Sequence, residues 1–421
     1  TAQVNTSFGS FNTQKYNAIF SSGLLDSNWA FEGRLSKIIS DGYIDRASSD
    51  LSSYYFSGGY YGEKTSLQFI HFAGDEVTYQ SWWGTPEARL ENDAAGIEEV
   101  IVNNGYSPEQ AENLRNSGRT FNYYLYDNQV DDYGQDHYQL HFSQSLAEGW
   151  NFNSALHYTK GSGFFEEYRR DEDFADYGLQ DVNIGGATIS STDLIRRRWL
   201  DNDFYGMTYD VNYAGAKVEA TLGGAYNEYD GLHFGEVIWA QFASNGDIRH
   251  RFYESRSDKS DFNTYLKVNY QASEQLNLFA DAQVRAVSYS GQGIDNDLRT
   301  IDFDEDWFFF NPKLGLTYNL NSQSNLYASF AIGNKEPNRS DIIDAPTGEN
   351  PEHESLSNLE VGYKKNTGRY AFEANYYLMD YKNQLVLTGD VNDVGASIRT
   401  NVPDSYRMGI ELVGGVKVTS W

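Results

Sequence analysis

The feature that most constrains this chain is a two-residue alternation of apolar and polar side chains, repeated in segments of about ten residues. Clear examples are residues 138–146, 150–159, 262–270, 276–286 and 370–378. Such alternation gives every strand one apolar face and one polar face. Helical periodicity is scarce, and its best candidate begins at Pro108, with Ser107 as the cap. The sequence therefore predicts an all-β protein.

The length of these segments indicates where the apolar faces lie. Ten residues extend about 33 Å, which at a tilt of about 45° matches the roughly 25 Å apolar band of outer-membrane barrels. We expect about sixteen strands, because short and long connections alternate along the chain. The short turns are 22–28, 61–64, 147–149, 214–216, 272–274, 319–325 and 364–369, and the long loops are 40–51, 74–132, 160–203, 228–258, 290–306 and 333–354. Strict sorting of this kind predicts an antiparallel transmembrane β-barrel with short periplasmic turns and long extracellular loops.

Composition supports this class and excludes others. The 421 residues include 60 acidic and 32 basic side chains, a net charge of −28, which disfavours nucleic acid as a partner. The absence of cysteine excludes disulfide frameworks and cysteine-ligated metal sites. Loop 74–132 alone carries twelve acidic residues and three arginines. Aromatic residues gather where strands meet loops, at 54–56, 60–61, 150 and 307–310, which is typical of interfacial girdles.

Several segments resemble the β-barrel of TonB-dependent outer-membrane receptors, in the siderophore-receptor-like form of Bacteroides-type bacteria. They include GSFNTQKYNAIFSSGLL (9–25), FAIGNKEPNRSDIIDA (330–345), NPEHESLSNLEVGY (350–363) and NVPDSYRMGIEL (401–412). The resemblance implies a barrel of about 22 strands around an N-terminal plug. Residues 1–421 are then expected to be a partial barrel domain, without the plug and the last strands. Within the motif we expect an architectural role for Lys335, Pro337, Arg339, Asn350, Pro351, Glu360 and Gly362, with Glu360 facing the lumen.

The densest basic patch lies within the predicted loop 160–203. It consists of Arg169, Arg170, Arg196, Arg197 and Arg198. Guanidinium groups suit bidentate capture of carboxylate or catecholate oxygens, so the patch is a candidate site for an anionic chelate. The alternative is local pairing with Glu166, Glu167, Asp171 and Asp173.

Other candidate residues also allow two interpretations. Tyr79, Trp82 and Trp83 suit stacking on a flat ligand or an interfacial girdle. His141 and His157 lie on the polar faces of neighbouring strands, as ligands for haem or a metal or as polar lining of the lumen. Asp295, Asp297 and the run 302–306 form an acidic cluster without the glycine and final glutamate of an EF-hand loop, which favours a solvated loop.

The family resemblance implies a transport receptor. No nucleophile elbow, zinc-protease motif or phosphate-binding glycine loop occurs, so we expect no enzyme and no cofactor. We expect import of a scarce nutrient, a ferric siderophore-type chelate, across the outer membrane of a Gram-negative bacterium, energised through TonB. Outer-membrane lipid and lipopolysaccharide are the expected surroundings. Vitamin B12, haem or an oligosaccharide are alternative ligands, and a soluble all-β carbohydrate-binding surface protein is the alternative class.

Overall fold

The structure, a computed structural model, describes residues 1–242, 246–345, 350–391 and 397–419. Its strands are β1 (Ala2–Gly9), β2 (Thr13–Leu25), β3 (Trp29–Ser40), β4 (Ser49–Tyr61), β5 (Thr65–Tyr79), β6 (Val130–Ala147), β7 (Trp150–Asp173), β8 (Val182–Ile184), β9 (Ala187–Ile189), β10 (Ser191–Ala214), β11 (Val218–Ala240), β12 (His250–Gln271), β13 (Leu276–Ile294), β14 (Thr300–Asn321), β15 (Ser324–Lys335), β16 (Glu354–Asn366), β17 (Tyr370–Val391) and β18 (Ser397–Val416). Sixteen of them form one antiparallel sheet in chain order, and β8 and β9 form a separate hairpin between β7 and β10. The predicted all-β class and the expected number of strands are confirmed.

The sheet has one apolar face and one polar face. On β14, the apolar face carries Phe308, Phe310, Leu314 and Leu316, all of them exposed. Asp306, Asp304 and Asp302 continue the same face further from the short turns. The same change from apolar to polar side chains occurs at paired positions on the next three strands. It lies between Ala286 and Ser288 on β13, between Phe262 and Ser260 on β12, and between Tyr226 and Glu228 on β11. A level apolar band that ends at one height on four strands is the surface expected in contact with lipid.

The polar face is concave, as the contacts of a short helix after β15 demonstrate. This helix, α4 (Arg339–Ile343), contacts β12 through Arg339 and Ser255, and it contacts β18 through Asp341 and Arg399. β12 and β18 each lie three strands away from β15, in opposite directions along the sheet. One short helix reaches both only if the sheet curves around it. The polar face therefore lines the inside of the curve.

The seven short turns lie where the alternation predicts them, whereas the predicted bounds of three long loops are wrong. Segments 160–203, 228–258 and 290–306 are largely strand, because β7, β10, β11, β12, β13 and β14 run 19–24 residues and extend past the apolar band. At Asp201, Asn202 and Asp203, β10 carries polar side chains on both of its faces, yet all three residues are paired in register with β11. The hydrogen-bond ladder thus continues where the apolar alternation stops. Run 302–306 likewise lies on β14, so the predicted solvated loop there is also wrong.

The long connection between β5 and β6 contains three helices, α1 (Glu87–Glu91), α2 (Ala94–Asn103) and α3 (Pro108–Asn116). The predicted helix at Pro108 is confirmed, because Ser107 and Gln110 form a reciprocal capping box. The other two were not expected. The helices enclose a small core of Ile97, Ile101, Ala111, Leu114 and Phe121. Among the described residues, no helix has the length and apolarity needed to cross a membrane.

Candidate functional site

A cavity of about 400 Å³ lies on the concave face, beyond the height at which the apolar band ends. Its basic lining residues are Arg169 of β7 and Arg196 and Arg198 of β10. The rest of the lining is Glu172, Asp176, Tyr177 and residues 296–298 of the β13–β14 loop, which include Asp297. Three arginines of the predicted basic patch therefore meet at one site. The long strands make this possible, because they hold the arginines on a rigid wall rather than on a mobile loop.

The strand period divides the three consecutive arginines between the two faces of the sheet. Arg196 faces the concave side, where its Nη2 lies 2.6 Å from Glu167 Oε1 and its Nη1 donates to the hydroxyl of Tyr177 at 2.9 Å. Arg197 faces the convex side and donates to Glu166 at 2.7 Å. For these two residues, local charge pairing is the arrangement observed. Arg197 belongs to the outer wall and does not line the cavity.

Arg198 differs from both neighbours because it has an aromatic environment. Its Nε donates to the hydroxyl of Tyr253 at 3.4 Å, and its guanidinium carbon lies 5.3 Å from the ring centroid of Phe165. Within the described parts of the chain, no carboxylate oxygen lies within 4.0 Å of this guanidinium. Its charge is therefore available to an incoming anion.

The remaining arginines of the patch have separate roles. Arg169 donates to Glu172 at 2.9 Å and lies 3.9 Å from Glu167, at the edge of the cavity. Arg170 donates to the carbonyl of Gly105 at 2.9 Å, which ties β7 to the end of α2. It stabilises the helical connection rather than the cavity wall.

Of the aromatic candidates, Trp82 lies nearest to the arginines. Its ring packs edge-on against Phe165, with 5.3 Å between centroids, and more than half of it is exposed. Trp83 packs against Tyr123 of the helical connection. Tyr79 is buried and donates its hydroxyl to the carbonyl of Tyr126 at 2.7 Å, so it supports the base of the connection. Trp82, Phe165 and Arg198 thus form a row, which we call the aromatic row, beside the cavity.

Burial and neighbouring charges set the ionisation states of the groups near the cavity. Burial and the charge of Glu167 raise the pKa of Tyr124 to about 12, so its hydroxyl stays protonated. Burial also raises the pKa of Tyr177, despite the opposing charge of Arg196. Burial, together with the charges of Arg339 and Arg198, lowers the pKa of His233 to about 4. Both hydroxyls stay protonated at neutral pH, and that of Tyr177 donates to Glu172, whereas His233 is uncharged.

The two candidate histidines lie deeper on the concave face. His157 of β7 accepts or donates one hydrogen bond with Asn227 at 2.9 Å, and His141 of β6 makes one with Gln139 at 3.0 Å. His157 precedes Phe165 by eight residues on β7, which places it roughly 26 Å along the strand from the aromatic row. Both side chains face the lumen, as their parity predicts. Within the described residues, no group of three or more metal-ligating side chains could hold a metal ion.

The motif residues lie at the end of β15, in the β15–β16 loop and on β16. Pro337 is buried and Lys335 is exposed, 3.9 Å from Glu354. Asn350 and Pro351 line a second cavity of about 290 Å³. Glu360 shares the concave face of β16 with Gly362, where an added Cβ would lie 2.3 Å from the Tyr327 ring. A larger residue at position 362 would therefore have to displace the Tyr327 ring.

Several residues of the site were not predicted from the sequence. They are Phe165, Tyr177, His233, Tyr253, Ser255 and Glu336. Glu336 stands inside the Lys335–Pro337 motif, so its position gave a usable signal. The others come together only through strand register, which a single sequence does not reveal.

Comparisons with known proteins agree with this geometry. Residues 95–421 match the family described as TonB dependent receptor-like, beta-barrel. No curated protein sequence matches the chain. Among solved structures, the chain resembles the ferric-catecholate import receptor Fiu of E. coli (TM-score 0.63, 13% identity, 100% of this chain and 62% of that one). It also resembles the copper transporter OprC, with a TM-score of 0.67 and 13% identity over 100% of this chain and 59% of that one. The ferric yersiniabactin uptake receptor FyuA of Yersinia pestis is similar as well, with a TM-score of 0.61 and 12% identity over 100% of this chain and 59% of that one. The chain thus spans about three fifths of the length of these proteins.

Proposed function

Because this chain belongs to the TonB-dependent receptor family, as its β-barrel, we propose that it binds and imports a ferric siderophore-type chelate across the outer membrane of a Gram-negative bacterium. The proposal includes a receptor of the Bacteroides type, with energy supplied by TonB through a plug domain that lies inside the barrel. Residues 1–421 are then part of the barrel domain. The convex apolar band faces lipid and lipopolysaccharide.

The observation that carries the proposal is the concentration of cationic and aromatic groups on one wall. In a chain of net charge −28, an anionic solute is repelled over most of the surface. The cavity brings Arg169, Arg196 and Arg198 together, with the aromatic row beside them. Acidic side chains share this wall, but Glu172 is bonded to Arg169, and Arg198 has no carboxylate partner among the described residues. Guanidinium groups and flat aromatic rings are the groups that best bind planar anionic oxygen ligands. A compact anionic chelate fits this combination.

The alternatives have less support. A haem receptor would use His141 or His157, but each makes a hydrogen bond with a neighbouring amide side chain and lies far from the cavity. A soluble carbohydrate-binding protein does not account for the broad apolar band on the convex face. Vitamin B12 and oligosaccharides carry few charged oxygens, so they leave Arg198, which has no carboxylate partner among the described residues, without a role.

The test uses the full-length protein in its own bacterium under iron limitation. A deletion strain should lose uptake of at least one ferric chelate, and the intact gene should restore it. Arg198→Gln should reduce the affinity of the purified receptor for that chelate by about ten- to hundredfold, because a charged hydrogen bond contributes about 1.5–3 kcal/mol. Lys335→Gln removes the same charge at an exposed position and should change nothing. Unchanged uptake of every ferric chelate by the deletion strain would refute the proposed substrate.

A further inference from the structure

A second cluster of polar groups continues inward from the cavity, at the point where α4 meets the sheet. Arg339 donates from Nη2 to Ser255 Oγ at 2.8 Å and contacts His233 Nδ1 with Nη1 at 3.3 Å. Tyr253 stands two residues before Ser255 on the same face of β12 and receives the hydrogen bond of Arg198. Arg198, His233 and Arg339 therefore converge from β10, β11 and α4 onto one stretch of the concave wall.

The two arginines of this cluster have no acidic partner among the described residues, although other arginines nearby do. Arg285, Arg299 and Arg399, which contact the same loop or its neighbour, all lie within 3.4 Å of a carboxylate oxygen. Neither Arg198 nor Arg339 has such a partner in the described ranges, although this wall is otherwise rich in acids. The Nε of Arg339 is also buried and lacks a hydrogen-bond acceptor among the described residues. Two partly buried cations without counter-charge are costly unless an anion joins them.

His233 cannot supply this counter-charge, and its tautomer adds a further donor. A guanidinium only donates, so Nδ1 of His233 accepts from Arg339. In the neutral ring the proton then lies on Nε2, which is a donor. Burial and the two arginines keep the ring neutral, with a pKa of about 4. The cluster thus presents donors from Arg198, Arg339 and His233 with no acceptor of matching charge.

We propose that Arg198, His233 and Arg339 form an oxyanion-binding subsite, below the cavity, that receives a carboxylate or phosphate group. The planar fork of arginine matches the two oxygens of such a group, which distinguishes it from a spherical anion such as chloride. Arg198 lines both the cavity and the subsite, so an anion bound there lies on the path inward from the mouth. The claim that the imported ligand binds at this subsite depends on the proposed function, whereas the claim that the subsite binds an anion does not. Arg339 is then a ligand-binding residue and not solely a structural element of its motif.

The experiment measures binding of iron-free citrate and of inorganic phosphate to the purified full-length receptor by calorimetry, at two salt concentrations. Arg339→Gln and Arg198→Gln should each weaken binding by about tenfold or more, and Arg339→Lys, which keeps the charge, should weaken it less. Arg34→Gln is the matched control, since Arg34 is an arginine on the concave face of β3, remote from the cluster. Protection of the β15–β16 loop from a protease that cleaves after glutamate, and so does not depend on Arg339, identifies any variant that has merely lost its loop structure.

The outcomes separate the two sources of the anion. Binding of citrate that depends on Arg339 assigns the subsite to a carboxylate group, and binding of phosphate alone assigns it to a phosphate group. Equal affinity in the wild type and in both Gln variants, with the loop intact, would overturn the subsite. So would an equal loss in Arg34→Gln. These measurements need no uptake, so a failure of ferric-chelate import leaves them interpretable.

Discussion

Arg285 and Glu336 are joined by two hydrogen bonds, from Nη1 to Oε2 at 2.7 Å and from Nη2 to Oε1 at 2.8 Å. Glu336 is almost fully buried and also accepts from Lys259 at 2.7 Å. The pair connects the residue that follows β15 to the wall formed by β12 and β13. It fixes the start of the loop that carries Arg339 and α4, so the position of the anion cluster depends on it.

Removing this carboxylate should release the loop. Glu336→Ala leaves Arg285 with Asp261 alone and Lys259 without a partner, and breaking a buried ion pair costs about 3–5 kcal/mol. We expect trypsin to cleave after Arg339 at least about a hundredfold faster, because each 1.4 kcal/mol changes the open population tenfold. Lys335→Gln, at an exposed neighbouring position, is the control. Equal cleavage rates in the two variants would contradict the role of Glu336.

The interaction of Glu336 with Arg285 and Lys259 should weaken over a defined range of acidic pH. Burial opposes ionisation, but hydrogen bonds from Arg285 and Lys259 outweigh it and lower the pKa of Glu336 to about 2, from 4.5. A lowered pKa in the folded state gives stability that is complete above pH 4.5 and is lost as the pH falls through 2. The full contribution is about 3 kcal/mol. Pepsin digestion between pH 5 and pH 2 should show the loop-cleavage rate of the wild type approaching that of Glu336→Ala as the pH falls below about 4.5. The ratio of the two rates cancels the pH dependence of pepsin itself.

The strands within the apolar band could be predicted from the sequence because lipid imposes the alternation. Segments 262–270 and 276–286 are apolar on one face wherever they contact the band, and both lie inside observed strands. The prediction fails beyond the band, as at Asp201 and Asp203, where solvent contacts both faces and no alternation remains. Backbone pairing there is stabilised by hydrogen bonds whose pattern leaves no trace in side-chain polarity.

The site was predictable only in part for the same reason. The arginine run signals its own presence, and the two-residue period predicts that Arg196 and Arg198 share a face that Arg197 does not. That Phe165 lies opposite Arg198, or that His233 lies opposite Leu200, depends on register between strands. The approach of Arg339 to β12 depends on the fold of a loop, which no local pattern encodes.

The two tryptophans at the head of the helical connection should differ in their effect on binding. Trp82 packs against Phe165, the neighbour of Arg198, whereas Trp83 packs against Tyr123. Trp82→Ala should weaken binding of a flat aromatic ferric chelate by about five- to tenfold, since an aromatic contact contributes about 0.5–1.5 kcal/mol beyond its buried area. Trp83→Ala should have a smaller effect. Titration of the purified variants checks this, and a larger loss in Trp83→Ala would move the binding surface to the helical connection.

The apolar band predicts that the destabilisation caused by an introduced charge depends sharply on its height along a single strand. Leu314 and Asp304 lie on the same convex face of β14, with Leu314 inside the band and Asp304 above it. Leu314→Arg places a charge near the middle of the lipid and should destabilise the barrel by about 2–4 kcal/mol, whereas Asp304→Arg should cost less than about 1 kcal/mol. Unfolding in urea from phospholipid vesicles measures both values. Leu314→Ala and Asp304→Ala measure the loss of each native side chain, and after this is subtracted the remaining difference reports the surroundings of the introduced arginine. Equal destabilisation would place the boundary of the lipid above Asp304, and the long strands would then be embedded rather than projecting beyond the membrane.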